Sequence, residues 1–179
     1  MNLAKVNTSK FKYRLGDAVL LKNRARDDMK RFPDTIGYDY LRAINWSLKP
    51  FDKDTFLNVV NNHIAKHNYK APETEFVLHW RLYPSSSWKM NMEKLKEIVD
   101  GRDITVCAAI HCDNKKGIND LYKYLENDNV RLQSSTNPDE DFAFAFQAEN
   151  LICTAGTFSG LLYRCKEHSA WYMWNSKNK

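Results

Sequence analysis

No stretch of the sequence approaches the roughly 20 consecutive apolar residues of a membrane-spanning helix, so no such span is expected. The opening residues, Met1-Asn2-Leu3-Ala4-Lys5, lack an apolar run and do not read as a secretory signal. The cysteines Cys107, Cys112, Cys153 and Cys165 form no Cys-x-x-Cys pair, which removes the usual dithiol and zinc signatures. They sit in or near apolar runs and read as buried free thiols, which suits a reducing cytoplasm. Internal repeats and low-complexity tracts are also missing, so a solenoid or an array is not expected. A strong excess of one charge is absent too: 27 basic against 22 acidic residues leave +5. That balance suits a phosphate-bearing ligand and is too small to require a nucleic-acid polymer.

What is present is enough for one compact domain. The chain has 179 residues, 43% of them hydrophobic and 13% aromatic, which supports a buried core and argues against general disorder. Residues 1–72 read as a mainly helical region packed on the same core as the rest. Asp17 to Phe32 carries spaced apolar residues and stops at Pro33; Tyr38 to Leu48 is a shorter candidate. Asp52 to Asn68 is amphipathic, with Phe56, Val60 and Ile64 on one side.

Residues 73–179 have a different texture. Strand patterns at Phe76–Leu82, Ile104–Ile110, Val130–Leu132, Leu151–Thr154 and Ala170–Trp174 alternate with helical patterns at Asn91–Val99, Ile118–Leu125, Pro138–Ala148 and Phe158–Cys165. This order predicts an α/β, Rossmann-like parallel sheet with helices on both faces. Phe142-Ala143-Phe144-Ala145-Phe146 alternates as a strand would. Helix is nevertheless expected there, because Asn137 can cap it, Pro138 fits the first turn, and Asp139, Glu140 and Asp141 complement the positive helix end.

Ligands of an open parallel sheet bind beyond the carboxyl ends of its strands. Those ends carry His79-Trp80-Arg81 with a Ser85-Ser86-Ser87 loop, His111-Cys112-Asp113-Asn114, and Thr154-Ala155-Gly156-Thr157-Phe158-Ser159 leading into a helix. The last offers amides and hydroxyls at a helix start, which suit an anion. The Arg81 guanidinium can grip a diphosphate with two prongs, His79 shares its strand face and can bond a base or phosphate, and Asp113 can accept from a ribose or a base edge. Taken singly, each of these residues is more often structural than functional; their joint placement on successive strand ends is what points to a nucleotide-sugar pocket.

The segment from Asp141 through Cys153-Thr154, followed by Thr157-Phe158-Ser159 and Arg164, resembles the third motif of GDP-fucose-dependent fucosyltransferases. His79-Trp80-Arg81 is similar to the first motif of that superfamily, which spans the α-1,6, α-1,2 and protein O-linked branches. His111-Cys112-Asp113-Asn114 is similar to the second. The three occur in family order across residues 75 to about 167. The resemblance implies the donor-binding domain of a GT-B glycosyltransferase and an inverting, metal-independent transfer of a sugar, fucose in the family, from a GDP-sugar donor to a glycan acceptor. By the same resemblance Arg81 holds the β-phosphate, His79 and Asp141 contact the guanine nucleotide, Asp113 lies on the same rim, and Thr157, Phe158 and Ser159 line the phosphate turn. Asp17 and Asp113 are the candidates for the base. No metal ligand and no cofactor besides the donor is implied. Leu82 stands where several branches carry a second Arg, and Ala155 and Gly156 are additional residues between Cys153-Thr154 and Thr157. Arg14-Leu15-Gly16-Asp17 faintly resembles the Leu-Gly-Asn entry of the α-1,2 branch. The chain is short for two full Rossmann domains, so either the helical region replaces most of an acceptor domain or a second copy or partner chain supplies it.

The alternative is a degenerate, non-catalytic module that binds a nucleotide sugar or glycan, motivated by Leu82 and the chain length. A nucleic-acid-binding domain is the third reading, without a recognition motif behind it. His63 and His67 have the four-residue spacing of a metal pair, but Ile64 stands where a zinc protease has Glu, and both histidines fall on the apolar helix face. Packed histidines are the expected reading, an acceptor-side role the second and metal the last. The cluster Lys22, Arg24, Arg26, Lys30 and Arg31 reads as a solvated helix face.

Overall fold

The computed structural model describes residues 15, 29–46, 50–80, 91–108, 130–133, 135, 137–154, 156–166 and 169–172. The expected helices Asp17–Phe32 and Ile118–Leu125 fall wholly or mostly outside these residues, as do Asp17, Arg81, Leu82 and Asp113.

Two helices come first. Helix α1 (Ile36–Ala43) begins where Thr35 Oγ1 accepts from the Tyr38 amide. It starts two residues earlier than the apolar pattern suggests and stops short of Leu48, because Asn45 and Trp46 adopt left-handed φ values of 53°. Helix α2 (Lys53–His67) is capped by Asp52, whose carboxylate accepts from the Thr55 amide, and ends at Asn68 in the left-handed conformation.

Strand β1 (Phe76–Trp80), helix α3 (Met92–Val99), strands β2 (Ile104–Ala108) and β3 (Val130–Gln133), helix α4 (Pro138–Phe146), strand β4 (Asn150–Cys153), helix α5 (Thr157–Cys165) and strand β5 (Ala170–Tyr172) complete the order. The five strands form one sheet in the order β3-β2-β1-β4-β5, with every pairing parallel. The chain thus steps outward from β1 to β3 on one side, then returns to β4 and steps outward on the other. Right-handed crossovers place the helices of the two halves on opposite faces. Leu95 and Val99 of α3 pack with Phe76, Leu78, Ile104, Val106 and Ile152. On the other face Val77, Cys107, Leu151 and Cys153 meet α4, α5 and the N-terminal helices. This is an α/β, Rossmann-like sheet.

Helix α4 explains its own misleading alternation. It is enclosed, with Pro138, Asp139, Asp141 and the run Phe142–Ala145 all buried. A helix buried all round needs no polar stripe. Asn137 caps it by accepting from the Asp139 amide at 3.0 Å. The N-terminal helices join the same core through an edge-on ring series: Tyr40 to Phe56 at 5.2 Å, then Phe56 to Phe142 at 5.6 Å.

A polar bond supplements these rings. Asp139, 2% exposed, accepts from the Ile36 amide at 3.0 Å and so satisfies the start of α1 across 103 residues of sequence. Asp139→Ala should leave that buried amide without its acceptor and cost about 1–3 kcal/mol. Urea denaturation measures this directly; an unchanged midpoint would show that the bond does not anchor α1.

Candidate functional site

The reversal of strand order between β1 and β4 is the topological switch point, where open α/β sheets hold their ligands beyond the strand ends. Beyond β4, Thr154 turns back on β1: its amide and Oγ1 both donate to the His79 carbonyl, at 3.3 and 3.0 Å. Gly156 follows with φ 110° and ψ 165°, a conformation natural only to glycine, and the chain enters α5 at once. As the cap residue of α5, Gly156 brings no side-chain oxygen to the helix start. The positive end of α5 therefore stands next to the end of β1.

The structure brings three of the expected donor residues together here. His79 Nδ1 is 2.6 Å from Ser159 Oγ, and its ring stacks on Phe158 with centroids 4.6 Å apart and planes 15° apart. His79 and Ser159 are both fully buried, so each orients the other beneath the rim. Thr157 and Phe158 are half-buried at the rim itself. Phe158 in turn meets Phe142 edge-on at 5.4 Å, which extends the ring series from α1 to the end of β1. Arg81 follows β1 by one residue in sequence; Arg81, Asp113 and Asp17 lie outside the described residues.

Asp141 precedes Phe142 on α4, and its carbonyl accepts from Sγ of Cys107, the β2 neighbour of His79, at 3.8 Å. Its Oδ1 accepts from the Ser135 amide at 2.9 Å in the first turn of α4, beyond β3. Burial pushes its carboxyl up to about 8; the Ser135 bond opposes this and Glu140 adds to it. At neutral pH it is largely the uncharged acid. Cys107, Cys153 and Cys165 are buried thiols outside any disulfide, as the sequence indicates. Burial, with a smaller contribution from Cys165, pushes the Cys153 thiol up to about 12, which makes it a packing group and not a nucleophile.

Two contributors escape a reading of the sequence. Thr154 looks like the end of an apolar strand, yet its hydroxyl closes β4 onto β1; a Thr at the carboxyl end of a buried strand is the signal available. Phe142 reads as core, and is, but its edge also supports Phe158. The histidine pair divides: His63 is buried, whereas His67 is exposed, because the helix ends there and the pair does not share one buried face. None of the helices among the described residues is long and apolar enough to cross a membrane.

No protein family and no curated protein matches the chain. Among solved structures, the crystal structure of POFUT1 in complex with GDP is similar over 65% of this chain, at 12% identity and a TM-score of 0.40. The match spans 45% of that structure's chain.

The Asp141 environment gives a pH dependence with a definite sign. Its carboxyl starts near 3.8 in the unfolded chain and rises to about 8 on folding, so between those values the folded state binds the extra proton. Its contribution to stability is fully present below pH about 4 and is lost as pH rises through about 8. Asp141→Asn should flatten the fall of melting temperature across that window, an effect on the order of a few kcal/mol. A variant with the wild-type slope would mean that Asp141 is ionised in the fold.

Proposed function

We propose that this chain is a GDP-sugar-dependent glycosyltransferase of the fucosyltransferase type, its sheet corresponding to the donor-binding half of a GT-B enzyme. The observation that carries this reading is the start of α5 at the switch point, where Gly156 leads the chain directly into the helix beside β1. A diphosphate suits such a place, because helix dipole and first-turn amides both favour negative charge. The fucosyltransferase-like motifs add support: His79 and Trp80 end β1, Cys153 ends β4, and Thr157, Phe158 and Ser159 open α5, while Arg81 and the second motif lie outside the described residues.

In this reading the acceptor hydroxyl attacks the anomeric carbon, the bond to the GDP oxygen breaks, and configuration inverts. Arg81 and the start of α5 stabilise the charge that develops on the leaving diphosphate. A carboxylate, Asp17 or Asp113, takes the hydroxyl proton. His79 and Ser159 position the α5 turn from below, and Thr157 and Phe158 border the donor. Asp141, if it contacts the guanine, does so as a neutral acid able to donate as well as accept. The acceptor is a glycan hydroxyl, and a partner chain or second copy completes its site if the N-terminal helices do not.

A second reading, a binding module without transfer, draws on the burial of His79 and Ser159, which are bonded to each other, and on Leu82 in place of a second Arg. Calorimetric titration with GDP and GDP-fucose separates the cases. Binding with slow hydrolysis or transfer supports the enzyme; binding without turnover across a broad acceptor panel supports the module. Arg81→Ala should lower GDP affinity or turnover by roughly 10²-fold without loss of fold, and Lys should restore it only in part. Failure to bind any nucleotide would end the transferase reading and leave only a glycan-binding module.

A further inference from the structure

A second polar cluster lies away from the sheet ends, where the loop before α1 meets the last turn of α2. One ligand atom each from Asp34, His63 and His67 all lie within 4.8 Å of one another. His63 and His67 are one helical turn apart on α2, with ring centroids 5.4 Å apart and planes 27° apart. The Tyr69 ring covers the other side of His67 at 5.3 Å. Asp34 projects from a residue with φ 61°, a conformation that brings the loop up to the helix end.

His63 supplies the independent observation. Its residue is 2% exposed, its Nε2 lies 2.7 Å from Asp39 Oδ2, and its buried Nδ1 makes no hydrogen bond among the described residues. A carboxylate that holds one nitrogen of an imidazole fixes the tautomer and leaves a lone pair on the other, the arrangement found behind metal-bound histidines. A buried ring nitrogen of this kind calls for a partner. We propose that Asp34, His63 and His67 form a site for a divalent transition-metal ion of the zinc type, with Asp39 as the residue that orients His63.

The donor set of two imidazoles and one carboxylate selects late first-row ions over calcium or magnesium. Bonds of about 2.0–2.2 Å to a tetrahedral ion need ligand atoms roughly 3.4 Å apart. The two outer ligands, Asp34 and His67, are exposed and can close by rotamer changes. Lys66 is the resident competitor: its ammonium bonds to Asp34, keeps that carboxyl below its usual range and must move aside for the ion. With the ion in place, the loop before α1 and the end of α2 would be clipped together. This site is independent of the nucleotide reading.

Calorimetric titration of the full chain with Zn²⁺, and with Co²⁺ followed by its visible spectrum, tests the proposal. One ion per chain is expected, with cobalt bands of a four- or five-coordinate site and a raised melting temperature. Asp34→Asn and His67→Ala, both at the surface, should each weaken binding by at least about tenfold with an unchanged fold, and Lys66→Met should tighten it. His63→Gln should abolish binding; if that variant does not fold, the two surface variants decide. Absence of stoichiometric binding, or binding that Asp34→Asn and His67→Ala leave unchanged, would overturn the site, the latter by showing adventitious binding to other histidines.

Discussion

An imidazole with no access to water must find partners inside the protein, and at the end of β1 His79 finds them on α5. Its bond to Ser159 Oγ and its stacking on Phe158 lock the first turn of a helix to the end of a strand from the neighbouring crossover. The His79 carbonyl is held at the same time by the amide and hydroxyl of Thr154. One residue therefore sets the distance and angle between β1 and the start of α5. Those two elements frame the switch point. Gly156 completes the arrangement: a residue with a Cβ is strained at φ 110°, and the chain could then not turn straight from β4 into α5.

Support for this joint reaches the N-terminal helices. Rings continue from His79 through Phe158, Phe142 and Phe56 to Tyr40, in stacked and edge-on contacts between 4.6 and 5.6 Å. The N-terminal helices are thus part of the packing that holds the rim, and Asp139 adds the polar link to α1. Tight packing of this kind transmits small displacements, so changes in α1 or α2, the latter packed against α5, bear on the switch point.

Much of the architecture was legible because it rests on short-range rules. Val77, Leu151 and their neighbours form buried runs of strand length, and Asn91, Asn137 and Asp52 stand one residue before the helices they cap. The helical nature of Phe142–Phe146 followed from Asn137 and Pro138, which outweigh the two-residue alternation once the helix is buried all round. The ends of α1 were less readable, because Asn45 and Trp46 take left-handed conformations that no local pattern announces. At the site, the placing of Thr157, Phe158 and Ser159 on a helix start was readable from Gly156 and the preceding strand. The pairing of His79 with Ser159 was not, since it joins positions 80 residues apart. Nor was the bond from the Ser135 amide to Asp141, which depends on α4 beginning beyond β3. His63 and His67 looked alike by spacing and differ in burial because the helix stops at His67.

The central claim is that the start of α5 at the switch point receives the phosphates of a GDP-sugar. Hydrogen–deuterium exchange with and without GDP reads those amides residue by residue. The account predicts slowed exchange at Thr157, Phe158 and Ser159 in the presence of GDP, beyond any general stabilisation of the sheet. Nucleotide that binds while exchange at these three amides stays unchanged, with protection elsewhere, would contradict it.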